Sequence, residues 1–337
     1  MPRIGVETSR LGFGCVQLTA HRDRRDALAI LEHAFAEGIT HFDVARAYGF
    51  GRSESILSKF LRGKRNQVTV ATKFGLQPPT GFAGNATVID IAKKILGPFP
   101  GLLRRAKARG AAMGKSGVFT PDSAIRSLET SLRELRTDYV DLFLLHEASV
   151  PEALFQPLIE TLEKQVSAGK VRCLGIASDF GKLREHASQV PPLYQVLQFN
   201  DNAAERSLAH LTHGDERQVI THSIFKPTRP LLKAVAEHPH IAREFSKYLN
   251  VDLTDSKVIV SLLLDYALRQ NDRGVVLFSS TDPRHVSANA RGLETPMYDS
   301  AQSAGFLDFV QEIGNAARNG AANHPSLNPS AIESHDH

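Results

Sequence analysis

Short apolar runs alternate with longer amphipathic stretches along most of the chain. Eight of these runs are rich in β-branched and aliphatic residues, and each is followed by a region of helical character. Such alternation is typical of parallel strands joined by crossover helices. The pattern predicts strands over residues 11–14, 40–44, 68–73, 139–146, 171–178, 194–200, 218–223 and 274–279.

Helical patterns fill the spaces between the predicted strands, and one of them has a clear start signal. Thr120, Pro121 and Asp122 place a cap, a first-turn proline and a first-turn acid together. The pattern predicts helices over 24–37, 54–61, 121–135, 151–168, 182–188, 255–269 and 283–292. The unit after the sixth strand is the least regular, because residues 201–213 have helical composition but poor periodicity. Eight strand–helix units predict an α/β fold, a (β/α)8 TIM barrel.

Three segments do not follow this alternation of strands and helices. Residues 76–118 form a long insertion, dotted with Gly and Pro, after the third strand, and 227–251 lengthen the seventh unit. The insertion begins just after Lys73 and mixes apolar residues with cations, so we expect it to form a lid over the substrate pocket. A solvated surface segment with no part in catalysis would have the same composition. Residues 319–337 are small and polar, which is typical of a disordered tail. The expected organisation is one barrel domain, residues 1–318, followed by this tail.

The composition is that of an ordinary globular protein, with 42% hydrophobic and 23% charged residues among 337. The first residues show no apolar stretch resembling a signal peptide. The best apolar run, 258–268, is too short to cross a bilayer and contains Ser261 and Asp265. Cys15 and Cys173 are too few for a disulfide framework. We therefore expect a cytoplasmic protein with no membrane partner.

The net charge does not indicate nucleic acid binding. The formal charge is +4, but aromatic residues make up only 7% and Trp is absent, so stacking platforms for bases are scarce. A modest positive charge also suits an anionic cofactor or substrate. The expected partner is a small molecule rather than nucleic acid, and no pattern in the chain predicts the oligomeric state.

Four polar side chains stand at or just beyond the ends of predicted strands. Asp43 lies near the end of the second strand and Tyr48 follows it, Lys73 ends the third, and His146 ends the fourth. In a parallel barrel this edge is the catalytic face, where the loops that follow the strands gather. Each residue alone could be a helix cap, a loop residue, a solvated amine or a satisfied core histidine. Together they predict a site that delivers a proton to a carbonyl.

These four residues belong to a longer series of motifs that resembles the aldo-keto reductase superfamily. The series runs in order from about Arg10 to Leu293. It comprises Leu-Gly-Phe-Gly at 11–14, Asp-Val-Ala-x-Ala-Tyr-Gly at 43–49, Gly-x-Ser-Glu-x-x-Leu at 51–57, Thr-Lys-Phe-Gly at 72–75, Asp-Tyr-Val-Asp-Leu-x-Leu-Leu-His at 138–146 and Gly-Lys-Val-Arg-x-Leu-Gly-Ile-Ala-Ser at 169–178. The Gly-x-Gly-x-x-Gly fingerprint of a Rossmann domain does not occur.

The resemblance implies an NAD(P)(H)-dependent oxidoreductase acting on CH–OH groups. It would reduce an aldehyde or ketone to an alcohol, or catalyse the reverse, with sugars and lactols among the candidate substrates. Tyr48 would be the general acid and base, and Lys73, bridged to Asp43, would favour its phenolate form. His146 would orient the substrate carbonyl. A bound nicotinamide would supply the hydride.

The resemblance also implies which residues hold the nicotinamide half of the cofactor. Ser178, Asp179 and Gln198 match residues that bind the carboxamide. Family members usually carry Asn where Asp179 stands; a carboxylate cannot donate a hydrogen bond, and a helix cap is an equal interpretation of this residue. His222 takes the place of an aromatic ring that stacks on the nicotinamide, with a solvent-facing strand end as the alternative. Ser223 would meet the pyrophosphate.

The segment 278–289 matches the part of the family that binds the adenosine 2′-phosphate. Ser279, Ser280, Arg284 and Asn289 are the implied contacts. Arg284 is the one nearby cation, and a phosphate favours Arg or Lys, so selectivity for NADPH is weakened. The expected cofactor is NADPH or NADH, with NADPH slightly favoured.

Two other kinds of function compete with the reductase interpretation. One is a catalytically weak sensor or regulatory subunit that binds a nicotinamide cofactor, which the intact group of four residues disfavours. The other is a metal-dependent barrel hydrolase, suggested by 14 His. The first strand lacks a His-x-His pair, so no metal site is expected.

Overall fold

The strands close into a barrel at whose C-terminal edge the predicted catalytic residues lie. The computed structural model describes residues 7–20, 23–76, 117–184, 189–211, 217–294 and 297–322. Eight parallel strands pair in chain order, and the last pairs with the first. They are β1 (Leu11–Gly14), β2 (His41–Asp43), β3 (Thr69–Phe74), β4 (Val140–His146), β5 (Val171–Ala177), β6 (Tyr194–Asn200), β7 (Gln218–His222) and β8 (Val275–Phe278). The predicted (β/α)8 fold is confirmed.

Helices surround the barrel and pack their apolar faces against the strands. They are α1 (Arg24–Ala36), α2 (Arg52–Phe60), α3 (Pro121–Leu135), α4 (Val150–Ala153), α5 (Gln156–Ser167), α6 (Phe180–Arg184), α7 (Thr228–Glu237), α8 (Pro239–Leu249), α9 (Ser256–Gln270), α10 (Pro283–Glu294) and α11 (Ser300–Ala322). Helix α3 begins as predicted, because the Thr120 side chain accepts a hydrogen bond from the Ser123 amide. No helix in the described ranges is both long and apolar enough to span a membrane.

Two of the predicted helical units have a different form in the structure. The helix predicted over 151–168 is divided into α4 and α5, since Pro157 has no N–H to continue the hydrogen-bond ladder. After β6 the chain forms only a 3₁₀ turn, Ser207–His210, instead of an α-helix. Asp201 and Asn202 explain this, because their side chains accept backbone N–H groups that a helix would have used.

Three helices were not predicted by the pattern: α7 and α8, in the segment that lengthens the seventh unit, and α11, towards the C-terminus. Helix α11 extends to Ala322, so residues 319–322 are helical and not the start of a disordered tail. Residues 323–337 lie outside the described residues, as do 77–116, which make up nearly all of the predicted lid, and 185–188 of the predicted fifth helix.

A buried carboxylate anchors the end of the barrel opposite the catalytic edge. Asp141, near the start of β4, accepts hydrogen bonds from Arg65 and Arg172, each at 2.8 Å. It also accepts the Val70 backbone N–H at 2.9 Å. Its side chain is only 1% exposed, so the two guanidinium groups provide the compensation that a buried charge requires. The cluster ties β3, β4 and β5 together away from the candidate site.

Candidate active site

An amine lies between a carboxylate and a phenol at the C-terminal edge of the barrel. Lys73 Nζ is 2.5 Å from Asp43 Oδ1 and 3.2 Å from the hydroxyl oxygen of Tyr48. It also donates to the Val44 carbonyl at 3.3 Å. Asp43 and Lys73 are almost completely buried on adjacent strands, β2 and β3. The strand register therefore fixes their separation.

A short turn brings Tyr48 back over these strand ends. The chain leaves β2 and enters a 3₁₀ turn, Tyr48–Gly51, in which the Tyr48 N–H donates to the Ala45 carbonyl. Gly49 and Gly51 adopt left-handed φ angles of 55° and 82°, which a side chain would disfavour. The turn leaves the phenol ring 4.8 Å below the Lys73 ammonium.

Opposing effects set the protonation of this pair. Burial raises the pKa of the Tyr48 phenol, whereas the positive charge of Lys73 acts to lower it. Burial acts to lower the pKa of Lys73, but Asp43 and Tyr48 outweigh it, and the pKa lies above its usual value. The resting state is therefore a neutral phenol beside a permanent ammonium.

The His146 imidazole faces the Tyr48 ring edge to face. The ring centroids are 5.9 Å apart and the planes meet at 84°. Burial, followed by the positive charge of Lys73, lowers the pKa of His146 to about 3. The imidazole is thus neutral near pH 7 and can donate one hydrogen bond to a carbonyl oxygen. Its Nδ1 is buried without a hydrogen-bond partner among the described residues.

A cavity of about 420 Å³ opens onto these side chains. It brings together eight of the predicted site residues: Asp43, Tyr48, Lys73, His146, Gln198, His222, Ser223 and Ser279. The other five, Ser178, Asp179, Ser280, Arg284 and Asn289, do not line it. No cluster of His, Cys, Asp and Glu suited to a metal ion occurs in the described ranges.

Gln198 has the free acceptor that a nicotinamide carboxamide would need. Its Nε2 donates to Asp43 Oδ2 at 3.1 Å. Its Oε1 is buried and has no partner among the described residues, which is costly unless a ligand donates to it. Ser178 directly follows β5, and its backbone N–H donates to the Gln198 carbonyl at 3.0 Å. The Ser178 hydroxyl donates to the Ala148 carbonyl at 2.7 Å and can still accept a hydrogen bond. The cavity therefore fits a carboxamide ligand.

Asp179 has the geometry of a helix cap in this structure. The side chain is exposed, and its Oδ1 accepts the Gly181 backbone N–H at 2.9 Å at the start of α6. The Phe180 N–H is taken by Asn200 Oδ1. Of the two interpretations left open by the sequence, the observed contacts are those of the cap.

His222 and Ser223 form the wall of the cavity at the end of β7. His222 Nδ1 is 2.9 Å from the Ser223 hydroxyl, which fixes the ring against its neighbour. Burial, opposed by Asp43, lowers the pKa of His222. Ser223 has a left-handed φ of 65°, which turns the chain sharply out of the strand.

In the segment predicted to bind the adenosine end of the cofactor, Arg284 forms an ion pair. Arg284, which is 88% exposed, binds Asp282 with Nη2 to Oδ2 at 2.6 Å. Ser279 donates to the Gly14 carbonyl at 2.7 Å, and Ser280 accepts the Asp282 N–H at 3.0 Å. A 2′-phosphate would therefore meet a guanidinium whose charge is already shared with a carboxylate.

The sequence interpretation missed several residues of the cavity wall. Two of them carry a charge: Lys226, and Glu147, which follows His146 directly. Its position after a predicted strand end was a usable signal. Apolar members such as Val16, Ile224 and Phe225 gave no chemical signal, because only folding brings their loops to this edge.

Comparison with known proteins agrees with this geometry. The model of the Aldo/keto reductase family matches residues 10–304. A curated relative, "Probable aldo-keto reductase 1" of Glycine max, is 30% identical over 57% of this chain and 48% of its own length. An NADH-specific methylglyoxal reductase of Escherichia coli (strain K12) is 25% identical over 89% of this chain and 92% of its own.

The solved structures show the same fold. A glycerol dehydrogenase of Gluconobacter oxydans superposes with a TM-score of 0.66, covering 98% of this chain and 97% of its own, at 19% identity. The chain spans about half the length of the first curated relatives it matches.

Proposed function

Because the chain belongs to the aldo-keto reductase family, we propose that it uses NAD(P)H to reduce the carbonyl of an aldehyde or ketone to an alcohol, or catalyses the reverse. The observation that carries the proposal is the position of Lys73 Nζ, 2.5 Å from Asp43 and 3.2 Å from the Tyr48 hydroxyl. An ammonium held in this way stabilises the phenolate that remains after Tyr48 gives up its proton.

Tyr48 supplies the proton of the reaction. During reduction the carbonyl carbon gains a hydride and the carbonyl oxygen gains the phenolic proton, so the product is an alcohol and Tyr48 is left as phenolate. Solvent then returns the proton. Burial keeps Tyr48 protonated until a carbonyl is present, since it raises the pKa of the phenol. In the reverse direction the phenolate is the base.

His146 positions the carbonyl oxygen for this transfer. Its ring is buried against Tyr48, so few orientations are open to it. A neutral imidazole donates a hydrogen bond to the carbonyl without placing a second positive charge beside Lys73. Tyr48 and His146 would thus approach the same oxygen from two sides.

A bound reduced nicotinamide would supply the hydride. Gln198 Oε1 would accept from its carboxamide, assisted by Ser178, and the flat ring of His222 would pack against the nicotinamide. Ser223 would contact the pyrophosphate, and Ser279, Ser280, Arg284 and Asn289 the adenosine end. The Arg284–Asp282 pair supports use of both NADPH and NADH with small selectivity.

A panel of aldehydes, quinones, aldoses and lactols, run with NADPH and with NADH, tests the proposal through the loss of absorbance of the reduced cofactor. We expect turnover with at least one carbonyl class. Tight cofactor binding without turnover on any of them would favour a sensor or regulatory subunit instead. We propose a cytoplasmic location, as expected from the sequence, because two widely spaced cysteines, Cys15 and Cys173, are too few for a disulfide framework.

A further inference from the structure

Glu147 places a carboxylate on the wall of the catalytic cavity, one residue after His146. Its backbone has a left-handed φ of 63°, an uncommon conformation for a residue with a side chain. The hydrogen bond from its N–H to the Ala177 carbonyl, at 2.7 Å, holds the turn in place. The backbone of Glu147 is therefore held in a defined turn at the cavity wall.

Lys182, on α6, pairs with this carboxylate. Its Nζ is 2.7 Å from Glu147 Oε2 and 3.4 Å from the Glu147 carbonyl oxygen. The two side chains are 34% and 47% exposed, and such pairs contribute little to stability. Glu147 Oε1 makes no hydrogen bond within the described part of the chain, so the pair still has acceptor capacity at the cavity.

The cations around the cavity are all compensated. Lys73 is paired with Asp43, Lys182 with Glu147, and Lys226 with Glu205, as far as the described residues extend. A substrate carboxylate would find no unpaired cation among these residues. Hydroxyl groups, by contrast, can donate to a carboxylate and accept from an ammonium.

We infer that Glu147, which lines the cavity and is held there by Lys182, binds a hydroxyl group of a substrate whose carbonyl lies in the same cavity. The preferred substrates are then uncharged hydroxyaldehydes and sugars, in preference to apolar aldehydes. This inference rests on the reductase function proposed above and adds the substrate class. Glu147 determines specificity and takes no part in the proton transfer.

Glyceraldehyde and propanal share a three-carbon skeleton and differ in two hydroxyl groups, so their comparison isolates this contact. The quantity measured is kcat/KM for glyceraldehyde divided by kcat/KM for propanal. We expect Glu147→Gln to lower this ratio about tenfold, because a neutral amide accepts hydroxyl protons more weakly than a carboxylate. Lys182→Met, an exposed substitution, should lower it in the same direction.

Glu129→Gln is the matched control. It breaks an ion pair of similar exposure, Lys170–Glu129 at 2.5 Å, at the other end of the barrel, and should leave the ratio unchanged. An unchanged ratio in both Glu147→Gln and Lys182→Met, with NADPH binding retained in calorimetric titration, would overturn the inference while the reductase function stands. If the unaltered protein reduces neither aldehyde nor any member of the wider panel, the proposed function fails, and this inference with it.

Discussion

Gln198 donates a hydrogen bond to Asp43 across 3.1 Å, and this contact joins the candidate cofactor site to the catalytic group. Asp43 uses its other oxygen for Lys73. One carboxylate therefore holds both the amide that would bind the nicotinamide carboxamide and the ammonium that acts on Tyr48. A change in Gln198 should consequently affect the protonation of Tyr48 as well as cofactor affinity.

Tyr48→Phe removes the proton donor and leaves the cofactor contacts in place. We expect turnover of a model aldehyde to fall by about 10²–10⁴-fold, the range for general acid catalysis. NADPH affinity, measured by calorimetric titration, should change little. Near-normal turnover would show that another group donates the proton.

Lys73→Met should change the pH profile of the reverse reaction, alcohol oxidation, in which Tyr48 acts as phenolate. Without the ammonium, burial and Asp43 both raise the pKa of Tyr48 and nothing opposes them. The limb of the profile that reports the phenolate should therefore move to higher pH. A limb at the same pH, with only a lower plateau, would contradict a role for Lys73 in tuning Tyr48.

Selectivity between NADPH and NADH should be small and should depend on the Arg284–Asp282 pair. Asp282→Asn frees the guanidinium and removes a negative charge, so we expect NADPH affinity to rise relative to NADH. Arg284→Ala should lower the affinity for NADPH relative to NADH. Ser279→Lys should raise it. If Arg284→Ala leaves the ratio of the two dissociation constants unchanged, this side chain does not contact the 2′-phosphate.

Acid should destabilise the fold through two buried histidines. Burial lowers the pKa of His41 to about 4 and that of His146 to about 3. The unfolded chain takes up these protons below about pH 6.5, where the folded chain does not, so stability is lost as the pH falls from 6.5 towards 4. At pH 5 the loss should be about 2 kcal/mol per histidine.

Urea unfolding of the unaltered protein and of His41→Gln, each at pH 7.5 and pH 5, measures this effect. The comparison uses the change between the two pH values, which is independent of any loss of packing in the variant. The variant should show a smaller change. Equal changes in both proteins would mean that His41 is not the group that titrates.

Asp141→Asn should destabilise the barrel without altering turnover per folded molecule. The substitution leaves Arg65, whose side chain is 15% exposed, facing a neutral amide, which typically costs about 3 kcal/mol; Arg172 is 56% exposed and can turn to solvent. Glu129→Gln, which breaks an exposed pair, should cost no more than about 1 kcal/mol. Equal midpoints of thermal unfolding for the two variants would contradict the stabilising role of the Asp141 cluster.

The sequence predicted the barrel well because short parallel strands have a strong local signature. Lys73 and His146 could be placed because each ends such a strand, and the register of neighbouring strands then decides their distance. Helix α11 was missed, because many of its residues are small and its apolar face becomes evident only against α7 and α8. The local pattern carries no information about that packing.

Contacts between distant loops were the other part that the sequence could not predict. The position of Glu147 after a strand end was visible, but its pairing with Lys182 depends on the left-handed turn and on how α6 leaves β5. The Asp282–Arg284 pair spans only two residues, yet it requires the specific turn at the start of α10. Side-chain pairing of this kind follows from backbone conformation rather than from spacing.

The enclosure of Lys73 has a consequence for chemical modification of the enzyme. Its Nζ donates to Asp43, Val44 and Tyr48, which accounts for all three protons of the ammonium. Acylation requires a neutral, accessible amine, and Nζ is neither. Lysines at the surface, such as Lys170 and Lys233, can therefore accumulate acetyl or succinyl groups while the buried amine of Lys73 remains unmodified.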